Sequence, residues 1–408
     1  MKLGIIREGK VPPDSRVPLI PEQCVEVDKK FGWQVIVQPS SGRCYDDSEF
    51  LESGIRLSDE LNDCDILLGV KEVPTDQLIP GKTYLFFSHT IKEQPHNRKL
   101  LQAILEKKIW LIDYEVLMDE EGNRLIAFGK FAGMVGAHNA LYTYSRRTRL
   151  FDLPRMKDLK DYEEAKSIYR QIVLPPIKIV LTGGGRVANG AALVLKDMGV
   201  RQVTPEAFLK EKFREPVFTQ LHSTHYVKKK NGETFDTEDF YKHPDLFESA
   251  FQPYSKCADI MINGIYWDKR APAFFTREDM RQKDFKIRVI ADVTCDIAPE
   301  SSIPSTLKAS TITNPVFGYN PETGCEEEPY QPENIDMMTI DNLPNELPRD
   351  ASKAFGRQFI DKVIVEFENM EKSEVIKRAT IAKDGKLGPH FQYLKDYVSG
   401  KNFADVLP

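Results

Sequence analysis

Residues 177–191 read IKIVLTGGGRVANGA, a β-branched run that ends in three glycines and passes straight into a helical pattern. No other stretch restricts the fold as much. A tight turn out of a strand needs a residue that tolerates φ > 0, and a backbone lying close to a pyrophosphate has no room for a Cβ. The helix that follows aims its unsatisfied N–H groups and the positive end of its dipole at the phosphates. Gly183 and Gly185 fill the first two roles, Arg186 and Val187 belong to the same cofactor loop, and Ala188, at the start of the helical run Ala188–Met198, supplies the small residue that helix–strand packing requires. A bare GxGxxA is weak, but a strand before it and an amphipathic helix after it make it a dinucleotide loop. The ribose-binding acid of such units is expected about 20 residues on, at the end of the second strand. Reading that strand as Arg201–Thr204 puts Thr204 in the acid's place, which leaves NAD and NADP both open.

The first hundred residues alternate short apolar runs (Lys2–Ile6, Gln34–Gln38, Ile66–Val70, Tyr84–Phe87, Ile109–Asp113) with helical patterns such as Pro21–Phe31. This is the alternation of a second α/β unit. Three of its apolar runs are followed by a chemically useful side chain: Arg16 after the first, Lys71 after Ile66–Val70 and His89 after Tyr84–Phe87. Ligands of open α/β sheets lie beyond the carboxyl ends of the strands. A single Arg, Lys or His at such a place is more often a surface group, but three in one lobe point to a shared cleft. The small-residue stretch Gly129–Tyr144 reads as a helix crossing between two lobes. The expected architecture is therefore α/β, with two Rossmann-like lobes, a cleft between them and a first lobe discontinuous in sequence. The expected spans are 1–135 for the catalytic lobe, 136–340 for the dinucleotide lobe with an insertion at 206–256, and 341–408 for a return to the first lobe.

Composition excludes several other classes. The net charge of −6 gives no polycationic surface for nucleic acid, and no apolar run is long enough for a membrane span. The amino terminus reads as a strand rather than a signal peptide. Six cysteines with no CxxC pair speak against a disulfide framework or a zinc site. A cytoplasmic protein without a metal is expected, and homo-oligomerisation stays open.

The segments VKEVP (70–74), FFSHTIKEQ (86–94), IDYEVLMDEEGNRLIAFGKFAG (112–133), KHPDLFESAF (242–251), INGIYWDKRAP (262–272) and IDNLPNELPRDAS (340–352) resemble the lysine-forming saccharopine dehydrogenases. They are most similar to the lysine–2-oxoglutarate reductase half of the bifunctional lysine-degrading enzymes, within the alanine dehydrogenase superfamily. In 408 residues no second catalytic domain of that bifunctional type is expected. The resemblance implies an oxidoreductase that interconverts saccharopine with L-lysine and 2-oxoglutarate, using NAD or NADP. It implies that Lys71 and His89 are the acid–base pair, that Arg16 holds a substrate carboxylate and that Glu72 stands beside the catalytic lysine. Gln94, Arg124 and Asp341 fall on segments that line the substrate site, while Asn263, Gly264, Ile265 and Asp292 fall at the edge of the nicotinamide site. Two alternatives remain: a related amino-acid dehydrogenase of the alanine or opine type, and a nucleotide-binding regulator without catalysis.

Overall fold

The computed structural model describes residues 1–400; the last eight residues of the expected 341–408 segment lie outside the described residues. The chain packs into two compact units, Met1–Ala127 joined by the residues from Pro348 onward, and Phe128–Leu347. The expected boundaries near 135 and 340 fall inside the second of these. The helix Gly129–Thr148 packs as one piece within that unit, and the turn Leu343–Glu346 is held there by ion pairing of Glu346 with Arg155.

The first unit is an eight-stranded sheet in the order Lys386–Leu387, Thr380–Lys383, Trp110–Asp113, Thr83–Phe86, Ile66–Leu68, Lys2–Ile5, Gln34–Val37, Arg56–Leu57. Its first six strands in sequence run parallel. Thr380–Lys383 adds antiparallel to Trp110–Asp113 and supplies the late return of the chain. Strands of a parallel sheet are covered on both faces and read as continuous apolar runs, and Ile66–Leu68 is buried at every residue.

The second unit carries another eight-stranded sheet, in the order Glu326–Glu327, Val316–Tyr319, Ile335–Met338, Val289–Asp292, Ile260–Asn263, Lys178–Thr182, Val217–Leu221, Arg201–Gln202. The segment 206–256, read from sequence as an insertion, thus contains a strand of the main sheet as well as the separate hairpin Val227–Lys229/Phe247–Ser249. Among the described residues no helix is long and apolar enough to cross a membrane, and all six cysteines are free thiols.

The stretch Gly129–Tyr144, expected to cross between lobes, instead runs against the helix Arg186–Asp197 inside the second unit. Its small residues have a local purpose. A Cβ on Gly133 would lie 1.8 Å from the Val187 carbonyl oxygen, and one on Gly190 2.0 Å from that of Lys130. Forcing side chains into such a contact costs about 1–3 kcal/mol or more. Gly133→Val and Gly190→Val are therefore each expected to lower the midpoint of thermal or denaturant unfolding. An unchanged midpoint in both would show that the two helices do not meet at these glycines.

Candidate active site

In the first unit the strands Lys2–Ile5, Ile66–Leu68 and Thr83–Phe86 are neighbours and parallel. Their carboxyl ends, and the loops that carry Arg16, Lys71 and His89, therefore leave the sheet at the same edge. Glu8 ties two of these loops together: its half-buried carboxylate accepts the N–H of Val70 at 2.6 Å and that of Lys71 at 2.9 Å. Burial pushes the Glu8 carboxyl up to about 8.

Lys71 is largely withdrawn from water. Burial, then the Arg16 guanidinium and Lys10, bring its ammonium from the usual lysine range down to about 8, against the opposing pull of Asp14 and Glu72. The Glu72 carboxylate bridges two basic side chains, meeting His89 Nδ1 through Oε1 at 2.5 Å and Lys10 Nζ through Oε2 at 2.8 Å. Burial alone would raise the Glu72 carboxyl, but hydrogen bonding and charge from His89 together with Lys10 outweigh it and leave the group at about 2. His89 is held in the left-handed region at φ 52°, a conformation that costs energy for a non-glycine residue and gathers at functional sites.

Arg16 stands at this edge with a partner that sequence reasoning passed over. It is buried, and its Nε and Nη2 donate to Asp14 at 2.9 and 2.5 Å. One edge of the guanidinium fork is thus committed to Asp14. Arg124 is bound to Glu115 at 2.8 Å, with Lys92 at 3.7 Å from the same oxygen. Gln94 has an exposed side chain, and its carbonyl accepts from the Tyr397 hydroxyl at 2.6 Å. The structure therefore brings Arg16, Lys71, Glu72 and His89 into one connected group, to which it adds Glu8, Lys10 and Asp14. All three of the added residues sit in the loop after the first strand, whose density of charge was the one available signal. Asp341 belongs to the second unit, exposed just past the strand Ile335–Met338.

In the second unit the strand Lys178–Thr182 ends in Gly183, whose φ of 104° and distance of 2.6 Å from a hypothetical Cβ to the Gly264 oxygen demand glycine. The amides of Gln220 and Asn189 donate to the carbonyls of Gly183 and Gly184, fixing the loop ahead of the helix Arg186–Asp197. A Cβ on Gly185 would meet no atom within 4 Å. That open space at a helix N-terminus is what a pyrophosphate needs, so the loop fits a dinucleotide. Arg186 is exposed at the first turn and Val187 is half-buried beside Gly264.

One expectation for this unit changes. Thr204 is not on the strand beside Lys178–Thr182. Val217–Leu221 takes that position, Arg201–Gln202 lies outside it, and Thr204 caps the helix Pro205–Lys210 by accepting the Ala207 N–H. The strand end beside that of Lys178–Thr182 is thus that of Val217–Leu221, where His222 and Ser223 follow. Asn263 and Asp292 are fully buried and consumed internally. Asn263 accepts from Thr182 and donates to Asp292 and Ser302, while Asp292 also accepts from Thr294 and Thr306. Burial raises the Asp292 carboxyl, and these donors oppose it. The pair fastens three strand ends under the loop, and its polar atoms are spoken for. Gly264 packs against the glycine loop, and Ile265 lines the recess above it.

Comparison with known proteins bears on both units. Residues 4–135 match the family model described as alanine dehydrogenase/PNT, N-terminal domain. The mitochondrial alpha-aminoadipic semialdehyde synthase of Bos taurus is 29% identical over 99% of this chain and 49% of its own length. The saccharopine dehydrogenase [NAD(+), L-lysine-forming] of Emericella nidulans is 26% identical over 92% of this chain and 94% of its own. The chain thus spans about half the length of the semialdehyde synthases it matches. Among solved structures an L-alanine dehydrogenase superposes with a TM-score of 0.65 at 15% identity, covering 97% of this chain and 99% of that one. This likeness shows the fold: two Rossmann-like α/β domains.

Proposed function

We propose that this chain, a relative of the lysine-forming saccharopine dehydrogenases over nearly its whole length, interconverts saccharopine with L-lysine and 2-oxoglutarate using NAD or NADP. The observation that carries the reading is Lys71, an amine brought to about 8 beside the Glu72–His89 pair. At pH 7 roughly a tenth of such a lysine is neutral, against roughly one part in several thousand for an unperturbed one. A base is of no use to a protein that only binds a nucleotide.

When bound, the nicotinamide supplies hydride transfer to or from carbon, and the glycine loop with the first turn of Arg186–Asp197 would hold the coenzyme's phosphates. Proton handling falls to the first unit. In the oxidative direction the secondary ammonium of saccharopine has to be deprotonated before hydride leaves the adjacent carbon, and Lys71 Nζ takes that proton. Hydrolysis of the resulting imine needs a group to activate water and return a proton to the departing lysine nitrogen. His89 serves through Nε2, since Nδ1 is engaged by Glu72. Arg16 and Arg124 supply cationic donors for the carboxylates of saccharopine.

The direct test is a two-by-two assay of lysine plus 2-oxoglutarate with NADH or NADPH, run beside pyruvate plus ammonia. Turnover only with the second substrate pair would replace this reading by the alanine dehydrogenase type, and no coenzyme oxidation with either would remove catalysis. The pH dependence gives a second test. Oxidative turnover is expected to rise with pH through about 8 and then level off, because the neutral form of Lys71 is the active one. Arg16→Met removes a cation that depresses Lys71 and leaves Asp14 to pull the other way. That variant is expected to move the rising limb to higher pH and to raise the substrate KM; a limb that stays in place would mean that Arg16 does not tune the base.

A further inference from the structure

Beyond the glycine loop, the second unit exposes two large aromatic side chains where an isolated domain has no use for them. Tyr266 is 94% and Tyr241 66% exposed. Single exposed aromatics are common and need no explanation. These two, however, line the same recess of about 290 Å³ whose floor is Gly183, Gly184 and Gly185. The recess continues through Tyr226, Tyr241, Ile265 and Tyr266 into an apolar pocket of about 100 Å³. That pocket is also lined by Trp267, whose indole nitrogen is buried without an acceptor among the described residues.

The two tyrosines come from different parts of the chain. Tyr266 follows the strand Ile260–Asn263, on the far side of Lys178–Thr182 from Val217–Leu221. Tyr241 belongs to the short helix Thr237–Lys242, within the segment 206–256. At the end of Val217–Leu221 stand His222 and Ser223, and His222 lies so close over the loop that a Cβ on Gly184 would come within 2.6 Å of its ring. Among the described residues no carboxylate lines this recess, and Asp268, which lines the adjoining pocket, is paired with Arg270. A dinucleotide seated here therefore lacks the acid–ribose hydrogen bonds by which many such folds hold adenosine. Tyrosine offers a flat, rigid face at low entropic cost, and stacking on such a face accepts any base.

We propose that Tyr241 and Tyr266 form the adenine-binding slot of the coenzyme site, so that the adenosine half is held by base stacking instead of a carboxylate–ribose pair. This rests on the glycine loop being the coenzyme site, but not on the identity of the amino-acid substrate. The experiment measures equilibrium binding of NADH, NADPH and reduced nicotinamide mononucleotide to the full chain by calorimetry, without substrate. Tyr241→Ala and Tyr266→Ala are each expected to weaken binding of whichever dinucleotide the wild type takes by about 5- to 100-fold. Binding of the mononucleotide, which lacks adenosine, should be unchanged. Tyr393→Ala, which removes an exposed tyrosine from the other unit, should leave all three affinities as they are. Normal dinucleotide affinity in both recess variants would overturn the slot while leaving the coenzyme site standing. Equal losses for the mononucleotide and the dinucleotides would also overturn it, since the tyrosines would then act on something other than adenosine. Failure of the wild type to bind either dinucleotide would remove the coenzyme site itself and the slot with it.

Discussion

Lys71→Met is expected to lower turnover with saccharopine or with lysine plus 2-oxoglutarate by about 10²–10⁴-fold, the usual range for loss of a general base. Methionine keeps the length and apolar stem of lysine, so it fills the same largely buried place without an unpaired charge. The Val70 and Lys71 amides that Glu8 caps belong to the backbone and survive the change. The ion pairs of Glu72 with His89 and Lys10 also lie outside the substituted side chain. Stability should therefore hold, and so should coenzyme affinity, because the glycine loop belongs to the other compact unit. The rising limb of the pH–rate profile should vanish along with the activity. Turnover within tenfold of wild type, limb intact, would take Lys71 out of the chemistry and pass the base role to His89.

Gly185→Val should have an effect nearly as large, on a different quantity. Gly185 has φ −85°, which valine adopts without strain, and no atom lies within 4 Å of the position its Cβ would occupy. The fold should tolerate the new side chain, which would instead fill the space in front of the helix N-terminus where the pyrophosphate has to lie. Dinucleotide binding is expected to fall by at least about 100-fold, the consequence of losing the phosphate contacts that position the coenzyme. The unfolding midpoint should stay close to wild type. Gly183→Val makes the contrast: at φ 104°, with the Gly264 oxygen 2.6 Å from its Cβ, it should damage the fold first. If Gly185→Val bound the dinucleotide normally, the phosphates would have to sit elsewhere.

The parts of this site that were legible in the sequence are those set by near neighbours in the chain. A β-branched run followed by GGGRVANGA specifies strand, turn and helix through local φ/ψ demands and helix-end chemistry. Apolar runs that lead into the loops carrying Arg16, Lys71 and His89 marked strand ends, because fully buried parallel strands read as unbroken hydrophobic segments. Thr204 shows where this kind of inference stops. The strand read there is only Arg201–Gln202, Val217–Leu221 slots between it and Lys178–Thr182, and sequence order does not dictate spatial order in a sheet. Asn263 and Asp292 show a related limit. The resemblance puts them at the nicotinamide edge, but sequence does not reveal that the Thr182, Ser302, Thr294 and Thr306 side chains engage their polar atoms.

By itself, then, the sequence determined two α/β units, a phosphate loop in the second and a set of ionisable side chains at strand ends in the first. All of these follow from backbone conformations and periodicities that span a few residues. Only the tertiary structure decided which strand lies beside the loop, that Asp14 occupies one edge of Arg16, and that Glu72 joins His89 to Lys10. Those outcomes depend on pairings between residues far apart in the chain, where burial removes water and makes each charge answer to the partner the fold provides.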